Sequence, residues 1–377
     1  MLSLHIDTAR GWRGGQSQVR YTVLGLRQRG DRAVLVAHPE GELLKRMSEG
    51  TDLVPLAPRH EVDLAAAWRF SKVLKQYVPD VIQAHDSHAV AMAATALAIV
   101  SSGTRPPLIA TRRVDFRIAR NSFSRWKYEQ VDCFVAITDA IADMLVSDGI
   151  PRHKIALVNE GVDVERIVGL PTADVHEECY LPVGSPVVGN VAALVPHKGQ
   201  RYLIEAAHLV VQKIPDARFV ILGEVELREH LEHLVREHHL EKHVLLPGFR
   251  TDVIGCIKGF DLFVMSSVTE GLGTSLLDAM ACRKAIVGTR AGGIPEVVDE
   301  GRTGLLVEPR DPHQLADAIL RLIQDEAMRK RMAEAGYARV RERFTVERMV
   351  ADTAAVYSRL AAVPHLADTL PHDVGQP

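Results

Sequence analysis

Two carboxylates, Glu270 and Asp278, stand eight residues apart in a glycine-rich segment of the chain. Glu270 is followed by Gly271 and Gly273, which allow a sharp turn before a predicted helix that begins near Thr274. The free backbone N–H groups at the start of that helix would attract an anion. Glu270 could then bind hydroxyl groups of the same ligand, and Asp278, further along the helix, could reach a ribose. The alternative is that both acids only interact favourably with the helix dipole.

Three other loops carry residues that could bind the same kind of ligand. Lys198 precedes Gly199, and a lysine in such a loop can reach phosphates as a mobile point charge. Gly14 and Gly15 precede a predicted helix, where backbone N–H groups can approach an anion closely. His85 follows an apolar strand and could donate a hydrogen bond to a sugar hydroxyl or to a developing charge. The respective alternatives are an exposed lysine, an ordinary flexible turn and a buried structural histidine.

Short apolar runs alternate with helix-length segments, and this alternation predicts parallel sheets covered by helices. The alternation is interrupted by a proline-containing polar stretch at 169–185 and then restarts. We therefore predict an α/β protein of two Rossmann-like, doubly wound domains that face a cleft. The first domain would span 1–168, a linker 169–185 and the second domain 186–345. A helix at 346–363 would cross back to the first domain, and 364–377 would form a loose tail.

The candidate loops all follow predicted strands. In the first domain the predicted strands are 2–6, 33–37, 81–84, 108–110, 134–137 and 155–158. In the second domain they are 186–191, 218–222, 244–246, 262–265, 285–287 and 304–307. Ligands of open α/β sheets bind beyond the carboxyl ends of the strands. We therefore expect Gly14, His85, Lys198 and Glu270 at the cleft.

Composition excludes several classes of protein. A length of 377 residues suits two cores better than one. The net charge of −3, from 45 basic and 48 acidic residues, argues against a nucleic-acid-binding protein, which needs an excess of Lys and Arg. Four widely spaced cysteines form neither a CxxC pair nor a zinc-like cluster, which indicates a reducing compartment. Without a signal-peptide pattern, and with no apolar run near the ~20 residues of a bilayer span, we expect a cytoplasmic protein.

Residues 112–128 combine basic and aromatic side chains. Three of the basic residues, Arg113, Arg117 and Arg120, would share one face of a helix. The aromatic side chains could lie at the boundary of lipid headgroups. We predict that this segment contacts an anionic acceptor or the inner face of the membrane as a peripheral surface. An ordinary solvated basic surface is an equally weighted alternative. The six basic residues are Arg112, Arg113, Arg117, Arg120, Arg125 and Lys127.

The segment from Glu270 to Cys282 resembles the E-x7-E signature of the retaining family-4 glycosyltransferases, or glycosyltransferase group 1, which have the GT-B fold. Weaker resemblances follow in the right order: the Gly14-Gly15 loop, the strand and histidine at 80–85, and the segments 191–199, 292–298 and 301–307. The resemblance implies a retaining enzyme that moves a sugar from a nucleoside-diphosphate sugar to a saccharide or lipid-linked acceptor. Synthesis of cell-envelope glycans or lipopolysaccharide is the setting that it suggests.

The resemblance also implies roles for individual residues. Glu270 would hold the donor sugar, Lys198 and backbone amides would hold the diphosphate, and Asp278 would take the ribose hydroxyls. His85 would lie beside the reacting sugar, so that His85, Glu270 and Lys198 form the expected catalytic group. The expected donor-binding residues are Gly14, Gly15, Lys198, Glu270, Gly271, Leu272, Gly273, Thr274, Ser275, Leu276 and Asp278.

Two positions depart from the family pattern. Asp278 is one methylene shorter than the usual glutamate, and Ala193 stands where an arginine commonly precedes the lysine loop. Arg112 and Arg113 are candidates to supply a compensating positive charge to the phosphates or a contact to the acceptor.

The expected reaction needs no metal and no cofactor besides the sugar nucleotide. The first domain has no DxD pair in a loop after a strand, and the resemblance implies a front-face reaction in which the leaving phosphate accepts the proton. A GT-B-type epimerase, a phosphorylase and a non-catalytic nucleotide-sugar-binding subunit stay open as alternatives. A Rossmann dehydrogenase is disfavoured because neither domain has G-x-G-x-x-G after its first strand.

Overall fold

Two parallel sheets, one of seven strands and one of six, organise the part of the chain that the computed structural model describes. That part comprises residues 1–47, 50–100, 105–114, 117–119, 121–224 and 226–362. Each sheet is doubly wound, with helices on both faces. The predicted α/β architecture of two Rossmann-like domains is confirmed.

The first sheet reverses its strand order between its first and fourth strands. Its strand order is β3-β2-β1-β4-β5-β6-β7. The strands are β1 (Leu2–Asp7), β2 (Arg32–Ala37), β3 (Asp52–Pro55), β4 (Val81–Ala84), β5 (Leu108–Arg112), β6 (Cys133–Ala136) and β7 (Ile155–Leu157). The helices among them are α1 (Gly14–Gln28), α2 (Glu42–Lys45), α3 (Leu64–Tyr77), α4 (Ser87–Ile99), α5 (Ser122–Glu129) and α6 (Asp139–Ser147).

The second sheet repeats this plan after two connecting helices, α7 (Val164–Gly169) and α8 (Val175–Glu178). Its strand order is β10-β9-β8-β11-β12-β13. The strands are β8 (Val187–Val191), β9 (Arg218–Leu222), β10 (Val244–Gly248), β11 (Leu262–Met265), β12 (Ala285–Thr289) and β13 (Gly304–Val307). The helices are α9 (Gln200–Lys213), α10 (Arg228–Glu237), α11 (Val253–Gly259), α12 (Thr274–Ala281), α13 (Ile294–Val297), α14 (Pro312–Gln324), α15 (Glu326–Arg343) and α16 (Val346–Ala361).

Central strands of both sheets are buried along their whole length. Every residue of β4 and of β11 is buried, because helices cover both faces of each sheet. Strands in that environment have continuous apolar runs instead of an apolar–polar alternation. This is why both strands could be predicted from the sequence.

Helix α16 belongs to the core of the first domain although it follows the second. The chain crosses where Val162 N–H donates to the carbonyl of Phe344 (2.9 Å) and Val346 N–H donates to the carbonyl of Val162 (3.2 Å). Beyond that crossing, Val350 and Tyr357 of α16 are buried in one cluster with residues of α1. The hydroxyl of Tyr357 donates to the side chain of Gln83 in β4. The last helix therefore ties the two halves of the chain together.

Three details differ from the sequence predictions or lie beyond the described residues. The edge strand β3 was not predicted, since it is short, half-buried and ends in proline. Arg113 and Arg117 do not share a helical face, because α5 begins only at Ser122, where the side chain of Asn121 accepts a hydrogen bond from Ser124 N–H (2.7 Å). Arg120 and the predicted tail at 364–377 lie outside the described residues.

No described helix combines the length and the apolar character that crossing a bilayer requires.

Candidate functional site

The carboxyl ends of the two sheets face each other across a cleft. In each sheet the strand order reverses between two central strands, β1 and β4 in the first and β8 and β11 in the second. Loops that follow such strands form the ligand crevice of open α/β folds. The segments after these four strands carry Gly14-Gly15, His85, Lys198 and Glu270. Gly14 and Gly15 were predicted to precede a helix, but they are the first two residues of α1 itself, which begins after Arg13. The structure thus brings all four sequence-predicted loops to one cleft.

Glycines allow the two halves to approach closely. A Cβ on Gly14 would lie 2.6 Å from Oγ1 of Thr274, the first residue of α12 in the other half. A Cβ on Gly271 would overlap the backbone carbonyl oxygen of Arg113. A Cβ on Gly15 would be in ordinary contact with the side chain of Arg113, at 3.5 Å. The start of α1 at Gly14 and Gly15, Arg113 and the Glu270 loop therefore surround one space.

Lys198 and Glu270 form an ion pair in the second half of the cleft. Lys198 Nζ lies 2.5 Å from Glu270 Oε2, and Ser267 Oγ donates to the same oxygen at 3.0 Å. Only 8% of Glu270 is exposed. The loop holding Lys198 is fixed by Ser266 Oγ, which donates to the Lys198 carbonyl at 3.1 Å. The cation that pairs with Glu270 thus comes from the segment after a different strand, β8.

The start of α12 offers backbone groups to this space. Gly273 has a φ of 84° and precedes the first helical residue, Thr274. Ser275 Oγ donates to the carbonyl of Val191 at 3.0 Å, and the side chains of Leu272 and Leu276 are buried in the core. These three side chains serve the fold, so a ligand at this helix end would be bound through backbone N–H groups.

Asp278 lies on α12 where this helix approaches the first domain. The residue is half-buried, and burial raises its pKa to about 7, while the positive charge of Arg166 in α7 opposes the rise. Arg166 Nη1 also lies within 3.5 Å of the hydroxyl of Tyr21 in α1. The structure therefore places Asp278 near groups of α1 and α7. It lies in the second turn of α12, whereas Glu270 lies in the loop before this helix.

His85 lies in a row of buried polar side chains in the first half. Its Nδ1 is 3.2 Å from Arg113 Nη1, and its Nε2 is 3.1 Å from Nδ1 of His5. Arg113 Nε donates to Glu160 Oε1 at 2.7 Å. Burial, together with the nearby charge of Arg113, lowers the pKa of His5 to about 3 and keeps the pKa of His85 well below its usual value. Both imidazoles are therefore neutral at physiological pH.

Glu160 and His5 were not predicted from the sequence. Glu160 comes close to Arg113 because β7 ends at the same edge of the sheet as β5, and His5 lies fully buried inside β1, behind His85. The pKa of Glu160 is raised overall, because the effect of burial exceeds the opposing effect of the positive charge of Arg113. An acid in a short polar segment soon after a strand, in Asn159-Glu160-Gly161, is the signal that could have identified Glu160.

A pocket of about 170 Å³ opens beside His85 in the first domain. Its walls include Asp86, Ser87, Arg113 and Tyr128. Asp86 is held by Thr8, whose N–H and Oγ1 donate to it at 2.6 and 2.9 Å. Arg112 also lines this pocket, so both predicted arginines border it.

The basic segment 112–128 carries less unpaired charge than its sequence indicates. Arg117 lies 3.5 Å from Asp148, and Arg125 lies 3.1 Å from Glu129. Lys127 is buried and pairs with Glu61. Since Arg113 is paired with Glu160, at least four of the five basic side chains of this segment that the structure describes have acidic partners. Contact of this segment with an anionic membrane stays a prediction.

Glu296 connects the two domains beneath the cleft. Its carboxylate accepts hydrogen bonds from the backbone N–H groups of Asp139 and Ala140, at 2.8 and 2.9 Å. These two residues open helix α6 of the first domain, whereas Glu296 lies in α13 of the second. Gly293 packs against the side chain of Thr138, which caps α6. The 292–296 segment thus docks on the amino end of α6.

Two facing Rossmann-like domains with this cleft define the GT-B class of glycosyltransferase folds. Two family descriptions match the chain: "Glycosyltransferase Family 4" over residues 12–166 and "Glycosyl transferases group 1" over residues 174–339. The chain therefore belongs to the family-4, group 1 glycosyltransferases, and this resemblance is confirmed.

Similar proteins include enzymes with different substrates. N-acetyl-alpha-D-glucosaminyl L-malate synthase of Bacillus anthracis is 26% identical over 301 residues, which are 78% of this chain and 78% of that protein. The lipopolysaccharide core biosynthesis glycosyltransferase LpsE of Rhizobium meliloti is 30% identical over 237 residues, 63% of this chain and 66% of that protein. Anabaena HepE, solved in complex with UDP, shares the fold with a TM-score of 0.82 at 22% identity, over 95% of this chain and 100% of HepE.

Proposed function

We propose that this protein transfers a sugar from a nucleoside-diphosphate sugar to a saccharide or lipid-linked acceptor in the synthesis of a cell-envelope glycan such as lipopolysaccharide. The observation that carries the proposal is the Lys198–Glu270 ion pair, which includes an acid of the loop that leads into α12. The first residue of this helix, Thr274, faces Gly14 of the other domain. The envelope setting is supported by the similarity to LpsE, and a UDP-sugar by the fold shared with HepE.

The proposed donor site divides its charges between phosphates and sugar. The diphosphate would lie between Lys198 and the free N–H groups at the start of α12, because both attract an anion. When Lys198 turns to the phosphates, the Glu270 carboxylate becomes available to accept hydrogen bonds from sugar hydroxyls. Asp278 would accept from the ribose. Arg113 would add a second positive charge near the phosphates. This charge would compensate for the arginine that the family pattern has at the position of Ala193.

The acceptor would enter from the first domain. The pocket beside His85 opens toward Arg113, whose backbone in turn touches Gly271 of the donor loop. An acceptor hydroxyl at the mouth of this pocket would therefore approach a sugar held by Glu270. The 170 Å³ volume suits one polar end of an acceptor rather than the whole molecule.

We infer a retaining reaction without a metal ion. The bond between the anomeric carbon and the phosphate oxygen breaks, the acceptor oxygen bonds to the same face of that carbon, and the acceptor proton passes to the leaving diphosphate. Support comes from the family and from His85, whose two ring nitrogens already face protein groups. Lys198 and the α12 amides would stabilise the charge of the leaving group.

The test begins with the donor. Thermal shifts with UDP-, GDP- and ADP-sugars identify the nucleotide, because a ligand at 100 times its dissociation constant adds about 2.7 kcal/mol of stability. Transfer to acceptor extracts is then followed with and without EDTA, and the anomeric configuration of the product is read by NMR. Product formed from donor alone would instead indicate an epimerase, and donor binding without transfer a non-catalytic subunit.

Lys198→Ala is the decisive variant. We expect it to lower kcat by a factor of about 10²–10³, the typical cost of losing one preorganised donor to a developing charge. The matched control is Lys213→Ala, which removes an exposed lysine from α9 of the same domain and should leave kcat unchanged. Near-complete activity of Lys198→Ala would contradict the proposed donor site.

A further inference from the structure

The buried row formed by Arg113, His85, His5 and Ser3 has only one consistent arrangement of protons. A guanidinium carries N–H donors and no acceptor. Arg113 Nη1 lies 3.2 Å from His85 Nδ1, so this nitrogen must accept and cannot carry a proton. A neutral imidazole has one N–H, and for His85 it must therefore be on Nε2.

The row of hydrogen bonds continues from His85 into the core of the domain. His85 Nε2 lies 3.1 Å from His5 Nδ1, and the two ring planes differ by only 10°. Nearly parallel rings with two nitrogens this close and centroids 5.4 Å apart meet edge to edge, as an N–H···N hydrogen bond requires. His85 Nε2–H thus donates to His5 Nδ1, and His5 Nε2–H donates to Ser3 Oγ at 3.1 Å. Each hydrogen bond in the row is therefore donated in the direction from Arg113 toward Ser3.

Arg113 is itself held in place by a buried acid. Its Nε donates to Glu160 at 2.7 Å, and only 15% of the Arg113 side chain and 6% of the Glu160 side chain are exposed. Glu160 follows β7, Arg113 follows β5, and His85 follows β4, so three loops meet at one guanidinium. An arginine bound on two sides cannot rotate its donor away from His85 without breaking both contacts.

We propose that Arg113 is a positioning residue that holds His85 in a single neutral tautomer, with its proton on Nε2 and directed into the core toward His5. His85 then serves the acceptor pocket as a fixed wall and does not exchange protons with the substrate. Arg113 reaches this position from the loop that also touches Gly271, so the ordering of His85 is linked to the closed arrangement of the donor loop. The effect on turnover rests on the proposed function, whereas the tautomer does not.

The tautomer can be read directly by NMR on the full chain. Histidine-selective ¹⁵N labelling with long-range ¹H–¹⁵N correlation shows which ring nitrogen carries the proton, and the His85 and His5 signals are assigned by their loss in His85→Gln and His5→Gln. We expect wild-type His85 to keep its proton on Nε2 and to stay neutral from pH 5 to pH 8. Of the titratable and charged groups, Arg113 contacts the His85 ring and Tyr357 lies beside the His5 ring. Glu160 is bound to Arg113, and Asp7 interacts electrostatically with Arg113. Arg113 is the group whose nitrogen faces His85 Nδ1.

Removal of the Arg113 donor should change that signature. In Arg113→Met we expect the second tautomer or the imidazolium of His85 to appear in the same pH range, because Nδ1 is no longer forced to accept. Arg113→Lys keeps a cationic donor and should retain the wild-type signature. The control Arg32→Met removes an exposed arginine of β2 and should leave the spectrum unchanged. If Arg113→Met does not fold, Glu160→Gln, which loosens Arg113 without removing it, should give a mixture of tautomers.

Transfer assays supply the functional readout. We expect Arg113→Met to lower kcat by roughly 10-fold to 100-fold, because His85 would no longer be held in place beside the acceptor pocket. The KM for the donor should rise as well, because this variant also removes the positive charge proposed near the phosphates. Glu160→Gln keeps that charge and should lower kcat with little change in the KM for the donor. The pH–rate profile of Arg113→Met should gain an ionisation between pH 5 and pH 8 that the wild type lacks.

Two results would overturn the proposal: a wild-type His85 that carries its proton on Nδ1, or a His85 signature that is the same in Arg113→Met as in the wild type. A protein that shows the expected spectra but transfers no sugar from any donor would instead refute the proposed function.

Discussion

Asp278 shows how the charges of this cleft depend on burial. The Lys198–Glu270 and Arg113–Glu160 pairs each bring a cation to a buried acid. Asp278 is half-buried and has Arg166 as the positive group that opposes the rise of its pKa to about 7. An acid that departs from the family pattern in length is therefore also one that is partly protonated at neutral pH.

The raised pKa of Asp278 predicts a pH-dependent cost to stability. The folded protein keeps the Asp278 proton up to about pH 7, while the unfolded chain releases it near the ordinary value of 3.8. Stability therefore falls as the pH rises from about 4 to about 7, because the unfolded state gains by releasing the proton first. An asparagine side chain cannot ionise, so Asp278→Asn should be as stable as the wild type near pH 4 and more stable at pH 8.

Thermal melts at pH 4.5 and pH 8 test this prediction. We expect the Tm advantage of Asp278→Asn at pH 8 to be on the order of 10 °C, because a pKa raised from 3.8 to about 7 corresponds to about 4 kcal/mol of stability. Asp317→Asn, an exposed change on α14, serves as the control for loss of one negative charge. A Tm difference that is the same at both pH values would contradict the raised pKa.

At the scale of elements, helix α6 is completed by a residue of the other domain. Thr138, the residue that precedes α6, caps the helix: its Oγ1 accepts a hydrogen bond from Ile141 N–H at 3.2 Å. Glu296 accepts from the two preceding N–H groups, which the helix itself leaves without partners. A carboxylate at this position also interacts favourably with the positive end of the helix dipole. The amino end of α6 in the first domain thus acts as the docking point for α13 of the second domain.

Glu296→Gln should weaken this docking. A glutamine offers one acceptor and turns an NH₂ donor toward a second N–H donor, so one charge-assisted hydrogen bond is lost and one is weakened. We expect a cost of about 1–2 kcal/mol to the closed arrangement. If closure is linked to donor binding, the dissociation constant for the nucleoside diphosphate rises by a factor of about 5–30. Isothermal titration calorimetry measures it.

The matched control for this variant is Glu308→Gln, which changes an exposed glutamate of the same domain that lies 3.5 Å from Arg290. It should bind the nucleoside diphosphate like the wild type. Equal affinities of Glu296→Gln and the wild type would show that the Glu296 contact does not contribute to closure.

Elements were predictable where burial imposes a simple pattern on the sequence. The buried strands β4, β6 and β11 have apolar runs that end in a polar loop, and each appears within a residue or so of its predicted bounds. Edge strand β3 lacks that pattern because it is only half-buried. The helix expected through Arg113 and Arg117 is wrong, because basic residues at helical spacing do not outweigh the start signal at Asn121.

Pairings between distant residues were beyond the reach of sequence reasoning. Lys198 and Glu270 were both candidates, and their loops follow neighbouring strands, but nothing in the sequence requires their side chains to meet at 2.5 Å. Glu160 pairs with Arg113 only because β5 and β7 flank β6 in the sheet. Topology determines such contacts, and a local motif carries no information about them.

At the scale of the whole molecule, the cleft is closed by backbone contacts that exclude side chains. Gly271 touches the Arg113 carbonyl and Gly14 touches Thr274, in each case across the boundary between the halves. Together with Glu296 on α6 and the α16 crossing, these contacts join the domains on both sides of the cleft. Hinge closure of two domains around a ligand is a common way to exclude water from a transfer reaction.

Gly271→Ala should separate closure from folding. Unlike Gly273 and Gly292, Gly271 does not have the positive φ that disfavours alanine, so its own domain can accept a methyl group. The obstacle is the Arg113 carbonyl oxygen of the other domain, which that methyl group would overlap. We expect each domain to keep its stability while the cleft stays wider, with kcat reduced about 10²-fold because the reacting groups are held apart.

Small-angle X-ray scattering and melting curves together test this expectation. With saturating nucleoside diphosphate, the wild type should reach a smaller radius of gyration than Gly271→Ala, while the Tm values without ligand stay similar. Gly169→Ala is the matched control, since its added methyl group would meet no atom within 4 Å and its φ is also not positive. If Gly271→Ala compacts and turns over like Gly169→Ala, the contact between Gly271 and Arg113 does not form in the working enzyme, and catalysis must occur with the domains further apart than they are here.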